Sequence, residues 1–192
     1  MEAAIRFFHD RNLAFLSAGN TTMNVYIAED PRTGGVIIDD GIFVDDDWII
    51  GDLLAKRLLA YHETIHLVQV EYIGSSWSNW DDFYGEGSAR AIEDRADVTL
   101  DADLGHLFIP QVNGIFSNND DRSSDITSIA YPSVLWWTWL MDQYRSPTES
   151  APAEGWPALR NYYELLDSNS TSWSALTEFV DNEGSSDVLT DF

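Results

Sequence analysis

The sequence predicts one long helix between Asp52 and Gly74. Asp52 can cap the first turn and Gly74 can end the last turn, and no proline interrupts the segment. Apolar side chains recur every three or four residues, the spacing of one helical face, at Leu54, Leu58, Tyr61, Ile65 and Val68. We expect the rest of the chain to be organised around this helix.

Helical patterns also occur on both sides of that segment. Residues 81–94 open with acidic side chains, which favour a helix start, and residues 131–141 are apolar nearly all round, as in a buried helix. Further helices are predicted over residues 2–16, 157–166 and 174–180. Residues 99–122 show little periodicity, and we expect them to form a long surface excursion.

Short strands are predicted ahead of the long helix. Residues 22–28 alternate apolar and polar side chains, and residues 36–38 and 42–44 are short apolar runs of β-forming residues. Asp39-Asp40-Gly41 separates the last two runs and is a tight-turn sequence. The pattern predicts a hairpin or a meander.

The composition fits one soluble domain. The chain has 192 residues, 44% of them hydrophobic, with 25 aromatic side chains, which is enough for a core. No apolar run reaches the roughly 18 residues of a membrane span, and the first twenty residues carry Asp, Glu and Arg where a secretory signal would be apolar. We therefore expect a soluble protein, extracellular or cytoplasmic in a high-salt organism, and leave its oligomeric state open.

The charge is strongly acidic. The chain has 33 Asp and Glu residues, 22 of them Asp, against nine Arg and a single lysine, Lys56, and its net charge is −23. Such a surface makes nucleic acid a poor partner. Scarce lysine with abundant Asp resembles proteins of halophiles that accumulate salt, where molar salt cuts the Debye length to about 3 Å. We interpret the chain as halophilic, with an ordinary acidic domain as the alternative.

His62-Glu63-Thr64-Ile65-His66 lies in the middle of the long predicted helix. Residues four apart lie one turn above each other, so the two imidazoles can bind one metal ion. Glu63 lies about 100° around the helix from His62, where a carboxylate can take a proton from metal-bound water. The chain has four histidines and no cysteine, which leaves His and carboxylates as ligands. Zinc is the first hypothesis.

A third ligand is expected from the helix at residues 81–94. Its small residues would allow close approach to another helix, and they are Gly85, Gly87, Ser88 and Ala89. Glu86 lies among them and is the best candidate, because catalytic zinc normally has three protein ligands and one open position.

His62-Glu63-x-x-His66, followed twenty residues after the second His by Glu86, resembles the gluzincin zinc metallopeptidases. Two further features are similar to the peptidase MA-like branch of that group: Gln69 follows the second His, and Trp80 precedes Glu86-Gly87-Ser88-Ala89. The resemblance covers roughly residues 22–145, and its motifs are confined to residues 62–94.

This resemblance implies a fold class and a domain organisation. It implies a single α+β, zincin-like domain over residues 1–192, in which a small mixed β-sheet packs on the HExxH helix and on the helix bearing Glu86. Residues 1–50 would form the N-terminal helix and sheet, and residues 51–98 the zinc-binding helices. Residues 99–192 would form a mostly helical C-terminal part that a longer protein could continue.

The resemblance also implies an activity, the zinc-dependent hydrolysis of peptide bonds in a peptide or protein substrate. His62, His66 and Glu86 would bind Zn²⁺, and Glu63 would activate a zinc-bound water as general base. A tyrosine or histidine would stabilise the oxyanion; Tyr131 is preferred to His106 and Tyr84.

One position departs from the thermolysin pattern, in which an acid four residues after the ligand Glu supports a zinc-binding His. That position is Arg90 here. A second-shell carboxylate must then come from elsewhere, and Glu93, on the same helical face as Glu86, is the candidate. A solvated helix charge is the alternative for Glu93.

Three other functions fit parts of the sequence. A non-catalytic zinc domain would keep His62, His66 and Glu86 but would not need Glu63. A metal-free surface or interaction module would use the Trp77–Trp80 loop as an exposed sticky segment. A zinc enzyme with a non-peptide substrate would use the same water chemistry.

We expect the compactness of the protein to depend on salt, because 33 acidic side chains against ten basic ones repel one another unless counter-ions screen them. The melting temperature should rise between about 0.1 and 2 M KCl, as the Debye length falls from about 10 Å to below 3 Å. Thermal unfolding followed by circular dichroism measures this change. An unchanged melting temperature would contradict the halophilic interpretation.

Overall fold

The structure is a computed structural model of the full chain. It describes residues 2–11, 13, 24–28, 35–38, 41–45, 53–73, 83–96, 133–144, 155–169 and 171–183. Among these residues, no helix is both long enough and apolar enough to cross a membrane.

The described residues form six helices and three strands. In chain order they are α1 (Glu2–His9), β1 (Asn24–Ala28), β2 (Gly35–Ile38), β3 (Gly41–Asp45), α2 (Leu53–Ile73), α3 (Gly85–Ala96), α4 (Val134–Gln143), α5 (Trp156–Leu166) and α6 (Ser172–Asn182). The chain divides into two compact units, Met1–Glu71 and Tyr72–Phe192, so the division falls near the end of α2. It does not coincide with the predicted boundaries after residues 50 and 98.

The three strands pair in the order β1-β3-β2. β2 is antiparallel to β3, with Val36 opposite Phe43, whereas β1 runs parallel to β3, with Tyr26 opposite Phe43. β2 and β3 form the predicted hairpin, and β1 adds to it as a parallel neighbour of β3. The alternative prediction, a meander, is wrong because β1 does not pair with β2. Only two residues separate β2 from β3, which permits an antiparallel turn and leaves the other edge of β3 for β1.

The predicted fold class, an α+β zincin-like domain with a sheet packed on the zinc-binding helices, is wrong. The six helices contain most of the described residues, and the strands are three short ones. The buried apolar side chains of the described residues lie in or next to the helices, with Val44 as the exception. The helices bury their aromatic side chains against one another, so they form a core that needs no sheet.

In the first unit, α1 packs on α2 through aromatic rings. Phe7 and Phe8 meet Tyr61 edge-on, with centroids 5.3 and 6.2 Å from its ring. The guanidinium of Arg11 lies 3.3 Å from the Phe7 ring centroid and donates a 2.9 Å hydrogen bond to the Phe7 carbonyl. Burial lowers the pKa of Arg11, while Asp10 and Tyr61 act in the opposite direction. These contacts hold α2 at the residue next to His62.

In the second unit, aromatic rings fill the space between helices. Trp137 of α4 is fully buried, and its ring centroid lies 5.0 Å from that of Tyr162 in α5 and 5.4 Å from that of Phe83. Phe179 of α6 reaches the same cluster, 6.4 Å from Tyr162. The residues that lead into α3 are therefore part of an aromatic core.

Helix ends differ from the predicted ones where a local cap intervenes. α6 begins two residues before the predicted start, because Thr171 and Ser174 form a capping box, with Thr171 Oγ1 accepting the Ser174 N–H at 3.0 Å. α1 ends at His9, well before the predicted end at residue 16. Beyond this end, the Leu13 N–H donates a hydrogen bond to the Phe8 carbonyl at 3.3 Å.

Candidate metal centre

His62 and His66 lie one turn apart on α2, and both side chains are almost buried, with exposed fractions of 9% and 7%. Their rings are nearly perpendicular, at 89°, with centroids 4.6 Å apart. Their Nε2 atoms are 3.0 Å apart. The helix thus brings the same atom of both imidazoles to one point.

Gln69 fixes the orientation of His66. Its Oε1 lies 2.6 Å from His66 Nδ1, and its side chain is fully buried. An amide oxygen can only accept, so Nδ1 donates its proton to it, and Nε2 is the atom that faces His62. Because Gln69 lies three residues after His66, α2 supplies both the ligand and its support.

This donor set fits zinc. Two imidazole nitrogens bound to zinc at about 2.0–2.1 Å in tetrahedral geometry are about 3.3 Å apart, and the observed separation of 3.0 Å is close to that value. A zinc-binding His usually donates its other ring N–H to a nearby acceptor, as His66 does to Gln69. Without a metal, the same two Nε2 atoms can share one hydrogen bond, with His62 as the donor.

Glu86 is the third member of the group. One ligand atom from each of His62, His66 and Glu86 lies within 4.8 Å of the other two. Glu86 lies in the first turn of α3 and is partly exposed, a position at which the helix dipole favours a carboxylate. The group has two neutral nitrogen donors and one oxygen donor, a combination that catalytic zinc sites use.

Glu63, the predicted general base, is adjacent to His62 on α2. Its side chain is 4% exposed. Its carboxylate is thus largely removed from water and has its polar contacts within the protein.

Glu93, the predicted second-shell residue, is 1% exposed, and its Oε2 lies 2.6 Å from Nη1 of Arg90. Glu93 itself is buried and pairs with the partly buried Arg90, which excludes the solvated alternative for Glu93. Arg90, which replaces the acid of the thermolysin pattern, is therefore the partner of Glu93. A role of Glu93 in supporting a zinc ligand stays a prediction.

The candidates for oxyanion stabilisation divide in two. Tyr131 and His106 lie outside the described residues, as do Trp77 and Trp80. Tyr84 is fully buried, with the rings of Tyr162 and Tyr163 at centroid distances of 5.9 and 5.6 Å. Tyr84 is thus a packing residue of the second unit.

The support of His66 by Gln69 was missed in the sequence, where Gln69 was noted only as a family feature. The signal was present, since residues three apart on a helix are neighbours. The thermolysin pattern points to a carboxylate on the helix of Glu86, whereas His66 is supported by the amide of Gln69 on its own helix, α2.

Comparisons with known proteins found no matching family model, no matching curated protein and no matching solved structure.

We expect Gln69→Leu to weaken zinc binding about 10- to 100-fold, because leucine fills a similar volume but cannot accept the Nδ1 proton of His66. Competition against a chromophoric zinc chelator measures this loss. Gln143→Leu is the matched control, since Gln143 is exposed at the end of α4 and should not affect the site. Wild-type affinity in Gln69→Leu would show that this hydrogen bond does not orient a ligand.

Proposed function

We propose that the protein is a zinc-dependent hydrolase that cleaves peptide bonds. The observation that carries this proposal is the pair of Nε2 atoms 3.0 Å apart on His62 and His66, with His66 oriented by a buried amide. Two histidines that are hydrogen-bonded to each other would show the same distance. A separation close to that of two zinc-bound imidazole nitrogens, on a helix that also carries Glu63 and a support for His66, favours a metal site.

In this proposal, His62, His66 and Glu86 hold the ion. Bound zinc would supply a Lewis acid that polarises the scissile carbonyl and lowers the pKa of water. Glu63 accepts a proton from the attacking water and later donates it to the leaving amine. The carbonyl carbon gains the water oxygen as its bond to the amide nitrogen breaks, so the products are a carboxylate and an amine.

Two observations favour a catalytic over a purely structural zinc site. Structural sites are usually closed by four protein ligands, commonly with cysteine, whereas this chain has no cysteine and the described group has three members. The fourth position is then left for water and substrate. The buried carboxylate of Glu63, 4% exposed, occupies the general-base position of the HExxH pattern and would serve proton transfer in a catalytic site.

The choice of a peptide as substrate is supported by the sequence resemblance to gluzincins at His62, Glu63, His66 and Glu86. An ester or another amide would be hydrolysed by the same chemistry. A peptide library therefore has to be compared with simple esters in the assay of activity.

Glu63→Gln should keep zinc and lose peptide hydrolysis, with kcat/KM falling about 10²- to 10⁴-fold, because glutamine has the same shape but cannot accept the proton. Cleavage of fluorogenic peptides and zinc content by mass spectrometry, both in molar KCl, test this. Glu71→Gln is the matched control, since it removes a carboxylate about two turns further along α2.

Activity close to that of the wild type in Glu63→Gln would contradict the mechanism even if zinc is bound. A second pair of variants tests the ion itself: His62→Ala should lose zinc, whereas His9→Ala, at an exposed position of α1, should retain it. Absence of zinc from the wild-type protein after loading would overturn the proposal.

A further inference from the structure

We infer that Trp137 is a positioning residue for Glu86, because its indole N–H holds the chain segment that carries this carboxylate. The inference rests on the proposed function, in which Glu86 is a zinc ligand. It adds a residue of α4 that neither touches the metal nor belongs to the HExxH motif.

One side chain of α4 and one from its N-terminal flank bind the carbonyl of Phe83, two residues before α3 begins at Gly85. Trp137 Nε1–H donates to it at 2.7 Å, and Ser133 Oγ donates to it at 3.1 Å. A carbonyl oxygen has two lone pairs, so both donors can bind at once. All three residues are almost fully buried, where an unpaired carbonyl would be costly.

The same two side chains also confine the backbone just after Glu86. A Cβ on Gly87 would lie 1.6 Å from Ser133 Oγ and 3.0 Å from Trp137 Cδ1, so only glycine allows this close approach. Glu86 therefore lies between two positions, Phe83 and Gly87, that Trp137 and Ser133 hold from the same side.

The next turn is held separately. Ser88 Oγ donates to the Tyr84 carbonyl at 2.7 Å and lies 3.0 Å from the hydroxyl of Tyr163. Tyr163 also contacts Tyr72 in the last turn of α2, with ring centroids 5.5 Å apart. Ser88 and Gly87 thus fix the C-terminal side of Glu86, and the Phe83 carbonyl is the anchor on its N-terminal side.

An anchor affects metal affinity through the fraction of molecules in which the ligand is already in place. When that fraction falls, the apparent dissociation constant rises in inverse proportion. Loss of one buried hydrogen bond, worth about 1 kcal/mol, lowers the ratio of molecules with the ligand in place to those without it by about five-fold. A purely structural hydrogen bond would instead change the melting temperature and leave the zinc affinity of the folded protein unchanged.

The chain offers a matched pair of variants for the test. Trp137→Phe keeps an aromatic ring but removes the N–H that binds the Phe83 carbonyl. Trp136→Phe is the control: Trp136 is also buried and lies 5.4 Å from the Phe83 ring, but its Nε1 makes no hydrogen bond in the part of the chain that the structure describes. Both substitutions remove the same atoms from neighbouring positions.

We expect the zinc dissociation constant of Trp137→Phe to be about 3- to 10-fold higher than that of Trp136→Phe. Titration with zinc against a chromophoric chelator measures it, and circular dichroism establishes that each variant is folded. Ser133→Ala removes the second donor and should also weaken zinc binding. If Trp137→Phe does not fold, the zinc affinity of Ser133→Ala tests whether the anchor at the Phe83 carbonyl matters for zinc binding.

Equal zinc affinity in Trp137→Phe and Trp136→Phe would overturn the inference and leave the proposed function intact, provided that the wild type binds zinc. A lower melting temperature with unchanged zinc affinity would overturn it as well, because Trp137 would then be structural. Failure of the wild type to bind zinc would instead overturn the proposed function and this inference with it.

Discussion

The hydrogen bond from His66 Nδ1–H to Gln69 is the interaction on which the proposed site depends. His66 is nearly buried, so both of its ring nitrogens need partners within the protein. Gln69 binds one nitrogen, and the other is then directed at Nε2 of His62. If the ring turned over, Gln69 would no longer face Nδ1 and the two Nε2 atoms would no longer meet. The buried amide of Gln69 thus determines which ring nitrogen His66 presents to His62.

The second requirement of the proposed site is a ligand from α3, and backbone packing holds the segment that carries it. The segment around Glu86 is held by the Phe83 carbonyl on one side and by the close approach of Gly87 to Ser133 on the other. The aromatic residues of α4 and α5 that surround it are the core of the second unit. The segment that carries Glu86 is therefore held by core residues of this unit, and we expect a substitution at Trp137 to act on both.

The sequence was enough to place the residues of the proposed site on their helices, because that depends on local spacing, and their role in a metal site stays a prediction. His62, Glu63 and His66 follow from the 3.6-residue period and the caps of one helix, and Glu86 was selected because small residues flank it. The fold class could not be predicted in this way, because short β-type runs and a family resemblance do not reveal how far the aromatic helices form their own core. Parallel pairing of β1 with β3 depends on contacts distant in sequence. The ion pair of Glu93 with Arg90 likewise depends on burial that no local pattern shows.

A bound zinc ion would also balance negative charge in the proposed site. Arg90, whose side chain is 18% exposed, pairs with the buried Glu93, and Arg95, 11% exposed, pairs with the exposed Asp142, in a chain of net charge −23. Glu63 and Glu86 would together place two negative charges beside two neutral imidazoles in the proposed site. A divalent cation would balance them, and its removal would leave carboxylates whose burial or mutual repulsion costs free energy.

The central claim is that His62, His66 and Glu86 hold one zinc ion. Anomalous diffraction at the zinc edge from crystals of the loaded protein tests it most directly. The account predicts one strong peak bonded to Nε2 of both histidines and to a Glu86 oxygen, at about 2.0–2.2 Å. A peak at Glu93, at surface carboxylates, or at the histidines without Glu86 would contradict it.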